Sequence, residues 1–222
     1  MIIAEIGQNW NGIIRLAKEM IISAKENGAD LAKFQLYDSK RLYGEKQNTE
    51  LIKSQAKELF EWGEKHGIEV FFSVFDVERF RWCEEIGVKR YKVASRSNTD
   101  KVLARRLIAS RKPLIISMNS PLYSHSIWRK VSYKILYCIS NYPTRLSELH
   151  FETIKFGSWF AGFSDHTIGI DAAKIAISRG AKIIEKHFTF DKSFEGPDHF
   201  HSMIPEELKE LRRFYDTVQE AL

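Results

Sequence analysis

Two histidines carry the chemistry that this chain shows most openly: His166 in GFSDHT (162–167) and His187 in IEKHFT (184–189). Each ends a short apolar run that reads as a strand. Side chains alternate between the faces of a strand, so Ser164 shares a face with His166, and Ile183 and Glu185 share one with His187. Were these strands neighbours in a parallel barrel, both imidazoles would emerge at one rim beside Glu185 and Ser164. That is the outline of a metal-assisted site. A lone strand histidine is more often a hydrogen-bonded structural residue, and it is the pair at matching strand ends that favours a functional reading.

The elements that must position them follow from a recurring pattern: a helix-like segment, a Gly, one small or apolar residue, then a strand. It occurs as NGADLAKFQL (27–36), HGIEVFFSVF (66–75), IGVKRYKVAS (86–95) and RGAKIIEKHF (179–188). Gly is favoured just past a helix end because it accepts the left-handed conformation, so each copy is an α-to-β loop, and strands alternating with amphipathic helices imply parallel βαβ units. Strands are predicted near 2–7, 30–36, 68–74, 89–95, 113–117, 134–140, 158–164 and 182–188. Helices are predicted near 13–27, 48–66, 76–86, 99–109, 145–156, 168–179 and 205–221, with a turn or two between Pro121 and Lys130. The last helix starts at Pro205, suited to a first helical position, and aligns Leu208, Leu211, Tyr215, Val218 and Leu222 as a core-facing stripe. Eight such units in one domain, 1–222, give a (β/α)8 TIM barrel with shortened loops, whose catalytic groups belong at the C-terminal strand ends. A doubly wound open sheet is the alternative, and no G-x-G-x-x-G follows the first strand to support it.

At 222 residues, 44% hydrophobic and 28% charged, the composition is that of one ordinary globular domain. The formal charge is +5, but Lys and Arg are interleaved with Glu on helical stretches such as 56–66, the look of a solvated face. No basic block suits a nucleic-acid backbone, and the excess charge fits a small anionic substrate. No leader and no membrane-length apolar run is read, so a cytoplasmic location without membrane contact is expected. Cys83 and Cys138 read as reduced core thiols.

Parity along the strands places Glu5, Lys33, Gln35, Ser73, Lys92, Ser117, Ser164, His166, Glu185 and His187 facing inward near one rim. A packed barrel interior should be aliphatic there, and unpaired buried charges are costly. Two lysines with several hydroxyls suit a phosphate or carboxylate, and two His beside two Glu suit a divalent metal.

The strings AEIGQNWNG (4–12), LAKFQ (31–35), YKVAS (91–95), YPT (142–144), GFSDHT (162–167), EKHFT (185–189) and GPDHFHSM (196–203) resemble the barrel domain of the N-acetylneuraminate (sialic acid) synthases and their relatives for similar nonulosonic acids. The resemblance runs in order through nearly the whole chain. It implies a transferase that condenses phosphoenolpyruvate with an N-acylated amino-hexose such as N-acetylmannosamine and releases phosphate. By the same resemblance, His166 and His187 hold manganese or a similar divalent ion. Lys33, Lys92, Ser95, Ser117, Ser140 and Ser164 surround the phosphoenolpyruvate, and Glu5 acts beside the metal as an acid/base or orienting group. Gln35, Tyr142, Glu185 and Asp198 line or support the sugar site. Glu5, Lys33 and Lys92 are the expected catalytic residues.

There are departures. The family's Q-N-H is Gln8-Asn9-Trp10 here, which predicts a lost imidazole near the metal. S-T-P-F after the third strand is Ser73-Val74-Phe75, S-G-E after the fourth is Ser95-Arg96-Ser97, and S-T-G-M after the fifth shortens to Ser117-Met118-Asn119. Family members continue into an antifreeze-like domain whose arginine reaches the sugar in the partner subunit. The chain ends at Leu222, so the expected partners are a second copy in a homodimer and a separately encoded antifreeze-like domain. The competing readings are a degenerate barrel that binds an anionic metabolite or a protein without turnover and, with less support, a two-His metal hydrolase or isomerase.

Overall fold

A computed structural model describes residues 1–120, 128 and 133–221. Eight strands form a closed parallel barrel in sequence order: β1 (Ile2–Gly7), β2 (Leu31–Leu36), β3 (Glu69–Val74), β4 (Tyr91–Val93), β5 (Leu114–Met118), β6 (Tyr133–Cys138), β7 (Gly162–Asp165) and β8 (Ile183–His187). Pairing of β8 with β1 closes the ring, with Glu5 opposite His187. Around it lie α1 (Ile14–Glu26), α2 (Ser39–Tyr43), α3 (Lys53–His66), α4 (Val77–Ile86), α5 (Lys101–Ala109), α6 (Asp171–Ser178) and α7 (Pro205–Ala221).

Two apolar shells follow from the alternation of the strands. Ile3, Leu31, Phe71, Ile115, Leu136 and Ile183 point inward and plug the lower barrel, while Ile2, Ala4, Ile6, Phe34, Phe72 and Ile184 point outward into the larger core under the helices. On α7, Leu208, Leu211 and Tyr215 are buried, as their spacing predicts, and Val218 packs beside them. Carboxylates cap helix starts: Asp76 accepts from the Arg79 backbone N–H at 2.9 Å, and Asp100 accepts from Val102 and Leu103 at 2.9 and 3.0 Å, removing orphan donors at the first turn. Cys83 and Cys138 are free and buried, and burial pushes the Cys138 thiol up to about 11.

The (β/α)8 barrel is thus the architecture, with local corrections. The helix expected over 145–156 is two 3₁₀ turns, Leu146–Glu148 and Phe151–Thr153. His150 between them has φ of 47°, which ends one turn before the next can continue it, and the Leu149 carbonyl accepts from the Tyr137 hydroxyl at 2.6 Å rather than from a helical N–H. The helix expected from residue 48 begins only at Lys53, because Glu50 is drawn back to the Ser39 backbone N–H at 2.9 Å. That tie goes with the short α2, which periodicity does not announce. The turn expected between Pro121 and Lys130 lies outside the described residues, apart from Trp128, which is buried. Among the described residues no helix is long and apolar enough to cross a membrane.

Gly162 opens β7, and a Cβ there would collide with the backbone carbonyl of Ile183 on β8. Backbone cannot yield as a side chain can. Gly162→Ala is therefore expected to destabilise the fold by at least about 3 kcal/mol in urea denaturation; an unchanged midpoint would show that the β7–β8 seam is not fixed here.

Candidate active site

Above the apolar plug the barrel interior turns ionic. Lys33 Nζ is in contact with Glu5 Oε2 and 3.7 Å from Glu185 Oε2, and Lys92 Nζ is 3.3 Å from Glu185 Oε1. Hydroxyls complete the layer: Lys33 donates to Ser73 at 2.8 Å, Lys92 to Ser117 at 2.7 Å, and Ser164 to Glu185 Oε1 at 2.9 Å. Gln35 donates to Glu5 Oε1 at 3.2 Å. Glu5, Lys33, Lys92 and Glu185 are all at most 5% exposed. Two cations with two anions make this burial tolerable, but Glu185 Oε2 still has no hydrogen-bond partner. Gly7 makes room for the layer: its φ is 53°, and a Cβ there would sit 2.7 Å from Glu5 Oε1.

Seven strand-borne site residues thus meet at one level, as parity predicts. The lysines are not free phosphate ligands, however; each is already held by a carboxylate. Burial pushes the Lys33 ammonium down to about 7, with Lys92 adding to the effect and Glu185 opposing it.

This layer is the floor of a cleft. A niche bounded by Glu5, Lys33, Lys92, Ser117, Ser164, His166 and Glu185 opens past Gln35, Ser95, Tyr142 and His187 into a cavity of about 770 Å³. The outer cavity also touches Gln8, Arg96, Ser140 and Asp198, so Ser140 and Asp198 sit on its wall rather than in the ionic layer. Trp10 does not line it. Its indole is fully buried in the outer core, so the residue expected to mark a lost imidazole is a packing residue of the β1 end.

The imidazoles stand on the wall nearest β7 and β8. Nδ1 of His166 lies 2.8 Å from the Ile139 carbonyl, so that nitrogen donates and Nε2 keeps its lone pair. Tyr142 lies against the His166 ring at 4.2 Å between centroids, and the His166 and His187 rings are 5.8 Å apart. His187 Nδ1 is buried without a hydrogen-bond partner, 3.6 Å from Asp198 Oδ2. His201, which strand parity cannot reach, joins them: its Nε2 is also buried and unpartnered, 3.9 Å from Asp198 Oδ1. Only its spacing from Asp198 in GPDHFHSM could have pointed to it. His199 of the same string is structural, with Thr189 Oγ1 at 2.7 Å from Nδ1 and Asn11 Oδ1 at 3.1 Å from Nε2.

Burial holds His166 below the usual imidazole range and His187 well below it, with neighbouring His201 and His166 adding to the latter. Burial also lowers His201 to about 4 and raises Asp198 to about 6. At neutral pH the wall therefore offers uncharged imidazole nitrogens beside an ionised carboxylate, a donor set that suits a first-row divalent cation.

Residues 20–222 match the model of the NeuB family. The chain belongs to the NeuB family. It is 34% identical to the N,N'-diacetyllegionaminic acid synthase of Legionella pneumophila, covering 95% of this chain and 69% of that one. It is likewise 34% identical to the N-acetylneuraminate-9-phosphate synthase of Mus musculus, covering 100% of this chain and 70% of that one. Among solved structures, the N-acetylneuraminic acid synthetase of Leptospira borgpetersenii in complex with citrate superposes with a TM-score of 0.92 at 32% identity, over 99% of this chain and 84% of that one. Within this NeuB-family barrel, the ionic floor and the imidazole wall are the features that a synthase site could use.

The raised Asp198 carboxyl carries a stability consequence. Below its ordinary value of 3.8 it is protonated folded and unfolded, and above about 6 it is ionised in both states, so the folded state bears the full desolvation cost only above about pH 6. In chelator-treated protein, Asp198→Asn is expected to stabilise the fold by roughly 1–3 kcal/mol at pH 8, with the gain vanishing toward pH 4. Urea titrations at the two pH values test this; a mutant less stable at pH 8 would show that the carboxylate is compensated.

Proposed function

We propose that this chain condenses phosphoenolpyruvate with the aldehyde of an N-acylated amino-hexose to give a nonulosonic acid and phosphate. The observation that carries the reading is the buried Lys33–Glu5–Glu185–Lys92 layer, ringed by Ser73, Ser117 and Ser164, at the floor of a cleft large enough for a sugar. The chain is similar to synthases named for two different products, N,N'-diacetyllegionaminic acid and N-acetylneuraminate 9-phosphate, which supports the reaction class and leaves the acceptor to the cavity wall.

In this reading the enol phosphate enters with its charged end toward Lys33 and Lys92, and their ammonium groups swing from the carboxylates to the phosphate. Fixed cations in a water-poor niche stabilise charge as it shifts on to the leaving group. C3 of phosphoenolpyruvate bonds to the aldehyde carbon and water adds at C2; one proton of that water passes to the former aldehyde oxygen and the other leaves with phosphate as the C2–O bond breaks, so that the water oxygen becomes the ketone oxygen. Glu5, held by Gln35 and released by Lys33, is the group placed to hand on a proton. The donor set fits a divalent ion, for which manganese is our assignment: His187 would hold it together with Asp198 and His201, near the His166 ring. Such an ion would supply Lewis acidity to the aldehyde oxygen. Gln8, Gln35, Ser95, Arg96, Ser140 and Tyr142 would meet the sugar.

Phosphate release from phosphoenolpyruvate with a panel of N-acylated hexosamines and divalent metals tests the reading. One acceptor should support turnover, and Lys92→Ala should lower it at least about a hundredfold. Binding of phosphoenolpyruvate without turnover on any acceptor would instead establish a non-catalytic anion-binding barrel.

Because burial pushes the Lys33 ammonium down to about 7, an anion docking beside it should favour the charged form and draw a proton from solvent. Calorimetry of inorganic phosphate at pH 8 in buffers of differing ionisation enthalpy should show net proton uptake that disappears in Lys33→Met. Equal heats in all buffers would place the anion away from Lys33.

A further inference from the structure

We infer that the divalent-cation site of this chain is a three-ligand set, His187 Nδ1, Asp198 and His201 Nε2, in which His201 is a ligand that strand-end reasoning does not supply. The inference deepens the proposed function by naming the residues that hold the ion, and it rests on the same cleft, but it is read out by metal binding without turnover.

Distances come first. One ligand atom from each of the three residues lies within 4.8 Å of the other two. A cation with bonds of about 2.1 Å brings its ligand atoms to roughly 3 to 3.5 Å of one another, so side-chain adjustments of about an ångström close the set. Two imidazoles and one carboxylate, with the remaining positions open, is a familiar arrangement for first-row divalent ions.

Burial gives the second, independent observation. His201 is 1% exposed, His187 5% and Asp198 8%, yet His187 Nδ1 and His201 Nε2 have no hydrogen-bond partner. Buried polar atoms ordinarily find partners, and histidines beside them in the same chain do: both nitrogens of His199 and Nδ1 of His166 are engaged. The imidazole nitrogens that are fully buried and unpartnered among the described residues are the two that face Asp198.

The backbone that presents the set is anchored. The Met203 N–H donates to the His187 carbonyl at 2.8 Å, the Ser202 hydroxyl to the Asp198 carbonyl at 2.6 Å, and Asn9 to Ser202 Oγ at 2.9 Å. These ties fix Asp198 and His201 to the end of β8 before any ion arrives. His187 and Asp198 border the large cavity, so the open coordination positions face the space where a sugar would lie.

Titration of chelator-stripped full-length protein with Mn²⁺ and Co²⁺, by calorimetry and by Co²⁺ visible absorption, tests the set. One equivalent should bind, and His201→Ala and Asp198→Asn should each weaken binding at least tenfold, with His201→Asp, which restores an oxygen ligand, recovering part of the loss. Imidazole ¹⁵N spectra of the wild type with Zn²⁺ should show His187 and His201 shifting while His199 stays in place, a readout that does not depend on any variant folding. Loss of affinity in His166→Ala as well would support the set and add a fourth ligand. Unchanged affinity in His201→Ala with binding abolished in His166→Ala would overturn it, as would failure of either ion to bind at millimolar concentration. Phosphate release with metal affinity indifferent to His201 would sink the ligand set alone; His201-dependent metal binding without release on any acceptor would sink the proposed reaction alone.

Discussion

The structure depends on how a closed barrel accommodates four charges at its centre. Lys33 and Lys92 come from β2 and β4, and Glu5 and Glu185 from β1 and β8, so Lys33–Glu5 ties neighbouring strands while the two pairs to Glu185 reach across the barrel interior. None of the four could be buried singly without a large desolvation cost. Pairing of β1 with β2 sets Glu5 beside Lys33, closure of β8 on β1 brings Glu185 to both lysines, and the register that sets Glu5 opposite both Lys33 and His187 keeps them at one level. The apolar plug below and the polar layer above are thus two consequences of one alternation.

That constraint shapes the chemistry available. Without ligand, the lysines are neutralised by carboxylates, and burial pushes Lys33, His187 and His201 toward their uncharged forms and Asp198 toward its protonated one. The folded site resists charge until charged ligands arrive. An anion at the lysines and a cation at the imidazole wall would each reverse part of that resistance, and each would favour the other across the cleft. In the proposed reaction that coupling would favour a pair of ligands that brings an anion to one end of the cleft and a cation to the other.

Much of this was legible in the sequence because both periodicities are unforgiving. The Gly that follows a helix and precedes a strand marks α-to-β joints, and a period of two along each strand put Glu5, Lys33, Ser73, Lys92, Ser117, Ser164 and Glu185 in one layer. What was not legible lies where neither period operates. The segment after β6 carries apolar residues at helical spacing, yet Tyr137 and the left-handed His150 shape it into turns. The pairing of Lys33 and Lys92 with Glu185 depends on which strands meet inside the closed barrel, which no single strand reveals. The place of Trp10 was not legible either: its indole is buried in the outer core, which no strand or helix period announces.

His201 shows the same limit from the other side. It belongs to no strand or helix and reaches the cleft because the segment after β8 folds back on its own strand, through the Phe188–Met203 bridge and the Asn9–Ser202 contact. Rigid ties are needed there, since a loop that merely hovered over the rim could not keep two imidazole nitrogens and a carboxylate dry and facing one another. The cost of holding those groups unpaired falls on the fold, and the closed barrel with its two apolar shells is what can sustain it. This loop is bound to β1 and β8 by those ties and shares their precision.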